Sequence, residues 1–81
     1  MANTVILTVR AVKDSNTLVS SKDGKKFTAI RVALNQGKRS AFMDVYLDGE
    51  HKVEKGQPLL IVGELGIDKN GNLIIRAHEI K

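Results

Sequence analysis

The sequence contains no cysteine and no tryptophan, only one proline, and just three aromatic residues, Phe27, Phe42 and Tyr46. Without cysteine there is neither a disulfide framework nor a thiolate metal site. No apolar run approaches the ~20 residues that a membrane-spanning helix needs. The start, Met1-Ala2-Asn3, lacks the charged-then-apolar layout of a signal peptide. These absences exclude a disulfide-stapled secreted scaffold and a helical membrane protein, and lead us to expect a cytoplasmic protein. With 81 residues, a large multidomain enzyme is excluded too. The chain has room for one domain, 1–81, with a small core that calls for a closed fold or for oligomerisation.

Charged residues are present in a moderate basic excess. Thirteen Lys and Arg against nine Asp and Glu give a net charge of +4, which suits an anionic partner without requiring one. Hydrophobic residues make up 42% of the chain, enough for a folded domain.

The dominant pattern has a period of two. Short segments rich in Val, Ile and Thr are separated by Gly and Asn. We read five strands: Thr4 to Lys13, Lys26 to Leu34, Ser40 to Leu47, Pro58 to Leu65, and Asn72 to Ile80. Turn chemistry separates them at Ser21-Lys22-Asp23-Gly24, Asn35-Gln36-Gly37-Lys38 and Asp68-Lys69-Asn70-Gly71. The link from Asp48 to Gln57 has room for one helical turn at most. This is an all-β chain, and the spacing predicts a five-stranded OB-fold barrel with the helix between strands three and four reduced or absent.

Alternation sorts the side chains into two faces. In the second strand Thr28, Ile30, Val32 and Leu34 face the core, while Lys25, Phe27, Ala29, Arg31 and Ala33 face outward. In the third, Ala41, Met43, Val45 and Leu47 face the core, and Ser40, Phe42, Asp44 and Tyr46 face outward. All three aromatics thus fall on the outer faces of two neighbouring strands, beside Arg31 and Arg39. Base stacking fits such a face, because every nucleobase has a π-surface and cations can track its phosphates. Packing of the aromatics on each other or on a partner subunit fits it equally. Arg10 is an outward residue of the first strand. Lys22, Lys25 and Lys26 flank the first hairpin, Lys38 and Arg39 the second, and Lys69 the third. In an OB-fold the loops after strands one and four border the ligand face. Asp44 is expected to pair with Arg31 or Arg39, or else to repel phosphate.

Apolar residues also occur on the outward faces of the first, fourth and fifth strands. Ile6, Leu60, Val62 and Ile74 are the expected contacts of a homodimer or homotetramer. His51 and His78, the only histidines, have no metal-ligand spacing. No nucleophile with an adjacent base is recognisable, and Gly63, Gly66 and Gly71 form no phosphate loop. No enzyme, metal or cofactor is expected. Gly63 reads as a bend in a barrel strand.

Several stretches resemble the bacterial single-stranded DNA-binding proteins. Asn3-Thr4-Val5-Ile6-Leu7 resembles their first strand, and Phe27-Thr28-Ala29-Ile30-Arg31-Val32-Ala33-Leu34-Asn35 their second. Ser40-Ala41-Phe42-Met43-Asp44-Val45-Tyr46-Leu47 is similar to their third, with Phe42 where a Trp or Phe usually stands. Val53 to Leu65, with Lys55-Gly56 followed by Val62-Gly63-Glu64-Leu65, resembles the fourth, and Ala77-His78-Glu79-Ile80 the end of the fifth. The resemblance implies an OB-fold that binds single-stranded DNA with little sequence preference, as a dimer or tetramer, with stacking at Phe42. Three departures stand out: the nearly absent helix, the short hairpin between strands two and three, and a sequence ending at Lys81 without the acidic tail that recruits replication proteins. A protein-interaction module on the same fold, or a binder of RNA or duplex DNA, is the alternative reading.

Overall fold

The computed structural model describes residues 3–81, and among them there are six strands and no helix. They are β1 (Val5–Ala11), β2 (Asn16–Val19), β3 (Lys26–Gln36), β4 (Arg39–Asp48), β5 (Pro58–Ile67) and β6 (Leu73–Ile80). All belong to one sheet of order β1-β5-β6-β4-β3-β2. Closure comes from β1. Val5 to Arg10 pair antiparallel with β5, and Arg10 and Ala11 reach β3 at Ala33 and Val32. The result is the five-stranded barrel of an OB-fold, in which β4 and β6 form the parallel pair.

The five expected strands are the barrel strands. The short β2 went unforeseen, because its four residues are all exposed and begin with Asn16-Thr17, leaving no alternation to detect. Its partner defines it: Asn16 to Val19 pair with Ala29 to Lys26.

The inward residues of each strand make the core. Val9, Ile30, Val32, Val45, Leu59, Ile61 and Ile75 are buried together. Ala41 does not join them as expected. It is exposed because the β3–β4 hairpin runs on past the barrel.

One end of the barrel is closed by the segment between β4 and β5. Val53 inserts into the core, held by two hydroxyls. Ser15 Oγ accepts from the Val53 N–H at 2.9 Å and donates to the His51 carbonyl at 3.0 Å. Thr28, wholly buried, donates to the Gly49 carbonyl at 2.8 Å and accepts from the His51 N–H at 2.9 Å. A few well-satisfied loop groups thus replace a helix as the plug.

Gly63 sits where β5 and β6 shift register, Val62 facing Glu79 and Gly63 facing Ala77. His78 is the extra residue of this bulge. A side chain at Gly63 would collide with the Arg76 carbonyl oxygen and stand 2.8 Å from the Ala77 Cα. The expected bend is therefore a bulge that only glycine accommodates.

Candidate nucleic-acid interface

The outer surface of β3 and β4 carries the aromatics, as parity predicts. The antiparallel register sets Ala33 opposite Phe42, Arg31 opposite Asp44, and Ala29 opposite Tyr46. Two of the three aromatic rings therefore stand beside an alanine, and Ala33, expected to face outward, is only 8% exposed beside Phe42. Phe27, diagonal to Tyr46, meets it edge to face with centroids 5.9 Å apart and planes at 61°. Among the described residues Phe42 has no such partner, and it is 56% exposed. The packing and stacking readings thus divide the aromatics: Phe27 and Tyr46 support each other, and Phe42 stands free.

Between the two groups lies an ion pair. Arg31 Nη1 donates to Asp44 Oδ1 at 3.1 Å, with both side chains about two-fifths exposed (43% and 41%). Of the two partners expected for Asp44, the geometry selects Arg31. The Tyr46 phenol is pushed above its usual pKa, chiefly by burial and then by Asp44 and Asp68, with Arg31 opposing. It therefore stays a neutral hydrogen-bond donor at physiological pH.

A groove of about 960 Å³ runs beside Phe27 and Tyr46. Lys25 and Lys26 border it at the β2–β3 turn, and Arg76 and His78 from β6. Arg76 and His78 were not foreseen as site residues. Both have outward parity, but only the parallel pairing of β6 with β4 sets Arg76 beside Tyr46. Gly66 gives Arg76 its place. A Cβ at position 66 would lie 3.3 Å from the Arg76 Nε. Glu64, opposite Arg76 in the ladder, pairs with His78 at 3.3 Å. Lys26 pairs with Glu50 at 3.6 Å, a solvent-exposed contact of little energetic weight. Asp23 and Asp48 also line the groove, so its charge is mixed.

The remaining predicted cations are dispersed. Lys38 and Arg39 sit at the β3–β4 hairpin, beyond Phe42, where Ser40 donates to Asn35 Oδ1 at 2.7 Å. Lys69 lies in the β5–β6 turn and Lys22 in the β2–β3 turn. Arg10, opposite Ala33, donates to the Gly56 carbonyl. One row across the barrel therefore runs Arg10, Ala33, Phe42.

Of the four residues expected at a subunit contact, Ile6, Leu60 and Val62 share the outer face of β1 and β5, with Ile6 directly opposite Val62. Ile6 is 66% exposed and Leu60 37%. Ile74 is a correction. It shares the outward parity but is only 5% exposed, covered within the groove, and so offers little surface to a partner. Among the described residues no group of three or more His, Cys, Asp or Glu could hold a metal ion, and no helix is long and apolar enough to cross a membrane.

No protein-family model matches the chain, and no curated protein matches it by sequence. Solved structures do match. The chain is similar to the wild-type single-stranded DNA binding protein from Thermus aquaticus, with a TM-score of 0.84 and 24% identity, over 99% of this chain and 39% of that one. It matches the SSB domain of a Synechococcus sp. protein with a TM-score of 0.84 and 13% identity, over 99% and 94% of the two chains. The second single-stranded DNA binding protein from Mycobacterium smegmatis follows, with a TM-score of 0.82 and 17% identity, over 100% and 88%. These likenesses establish architecture: the chain has the OB-fold of bacterial single-stranded DNA binding proteins.

Proposed function

We propose that the protein binds single-stranded DNA with little sequence preference, by stacking bases on Phe42, Tyr46 and Phe27 while cations follow the backbone. The observation that carries this reading is the shared outer face of β3 and β4, where every aromatic of the chain points outward. The fold neighbours named as single-stranded DNA binding proteins support it. Arg76, Lys25 and Lys26 supply charge along the groove, Arg31 on the β3–β4 face between Phe42 and Tyr46, Lys22 at the β2–β3 turn, Arg10, Lys38 and Arg39 beyond Phe42, and Lys69 at the β5–β6 turn. The protein holds its ligand and does not cleave it. Replication and repair, which expose single strands, are the cytoplasmic settings this role implies. Copies associate through Ile6, Leu60 and Val62, which sedimentation at micromolar concentration tests.

The deciding experiment is titration of a labelled oligo-dT of about 30 nucleotides at low and high salt. Log K is expected to fall by about 0.7 per phosphate neutralised for each tenfold rise in salt, and RNA and duplex DNA should compete poorly. Absence of binding at low salt overturns the reading and directs the search to a protein partner.

A further inference from the structure

Tyr46 has a cation on each side. Arg76 stands directly beside it on β6. Arg31 on β3 is its diagonal neighbour, two places along from the facing Ala29. Diagonal neighbours lie about 7–8 Å apart, so both long side chains are within reach of the phosphate of a nucleotide stacked on Tyr46. The acids beside them separate the two. Arg31 is directly opposite Asp44 and donates to its Oδ1 at 3.1 Å. Arg76 is directly opposite Glu64, but Glu64 Oε1 lies 3.3 Å from His78 Nε2. Asp23 and Asp48 line the same groove. Among the described residues, neither of them nor Glu64 forms an ion pair with Arg76.

An exposed ion pair adds little to stability, but its charges still cancel for an approaching ion. A phosphate drawn to Arg31 meets the Asp44 carboxylate at nearly the same distance, so attraction and repulsion offset each other. At Arg76 no bonded acid opposes the attraction. Asp44 and Arg31 thus make the strip between Phe42 and Tyr46 electrically neutral, which suits uncharged bases and not the backbone. The geometry points to Asp44 as a positioning residue: it screens Arg31 from phosphate, so that bases lie on the β3–β4 strip and the backbone runs over Arg76 on the β6 side of Tyr46. The inference rests on the single-strand reading above and decides which cation meets the phosphate.

The test is the slope of log K against log salt for oligo-dT, measured on the wild type and three variants. Each phosphate contact on a single strand contributes about 0.7 to that slope. Arg76→Gln is expected to flatten it by about 0.7. The double variant Arg31→Gln with Asp44→Asn removes one charge of each sign, keeps the net charge at +4, and is expected to retain the wild-type slope. Asp44→Asn alone unmasks Arg31 and is expected to steepen the slope by about 0.7. A double variant that flattens the slope, an Arg76→Gln slope equal to the wild type, or an Asp44→Asn slope that does not steepen each overturns the screening role and leaves single-strand binding intact. Failure of the wild type to bind at low salt overturns the single-strand reading and this inference together. The substituted side chains are exposed, and melting curves check that each variant keeps the fold.

Discussion

Phe27 and Tyr46 meet edge to face across the β3–β4 ladder, ring centroids 5.9 Å apart. Each ring is half-buried, partly by the other. Such a contact favours the folded barrel, and both rings line the groove. Phe42, beside Ala33, is not engaged in this way. The three aromatics therefore contribute unequally to the fold, and on the proposed reading Phe42 is the ring left for binding.

That division is measurable. Phe27→Ala should lower stability by about 1–2 kcal/mol, through the lost aromatic pair and the apolar area exposed. Phe42→Ala should change stability by less than about 0.5 kcal/mol while weakening oligo-dT binding by about 1–3 kcal/mol. Denaturant melts and titrations on the two variants give the comparison. Equal effects on folding would contradict the assignment.

Gly63→Ala is expected to destabilise the protein by about 1–3 kcal/mol, because the added methyl must displace the β6 backbone at the bulge. Gly66→Ala meets only the flexible Arg76 side chain and the tip of Ile74. It should leave stability nearly intact but shift Arg76 and weaken binding. A Gly63→Ala melting curve that overlays the wild type would rule out the close approach.

Acid should loosen the β5–β6 turn. The Asp68 carboxylate accepts from the backbone N–H of Asn72 and of Asn70, each at 2.9 Å. These bonds, that to Asn72 foremost, hold its pKa below the ordinary carboxylate value. The unfolded chain therefore takes up the proton more readily. The stabilisation is present above the ordinary carboxylate pKa and is lost as pH falls through the lowered one. Amide NMR shifts of Asn70 and Asn72 should move together with a midpoint below the ordinary aspartate value, and Asp68→Asn should flatten that response. Shifts that titrate at the ordinary carboxylate value would refute it.

Much of this molecule was determined by the sequence alone. Side chains alternate on any extended strand, so parity assigned Ile30, Val32 and Val45 to the core and Phe27, Phe42 and Tyr46 to the outside without knowledge of the neighbours. Turn chemistry such as Asn70-Gly71 placed the hairpins, and the lack of room for more than a helical turn between β4 and β5 was plain from the short stretch Gly49 to Gln57. Tertiary structure decided what depends on partners distant in the chain. Closure of β1 onto β3 defined the barrel, and the exposed β2 exists only through its pairing with β3. Parallel pairing of β4 with β6 set Arg76 beside Tyr46 and covered Ile74, whose parity alone had suggested a free surface. Periodicity is a local property of the backbone. Which strand edges bond, and in what register, is settled only when the whole barrel closes over a shared core.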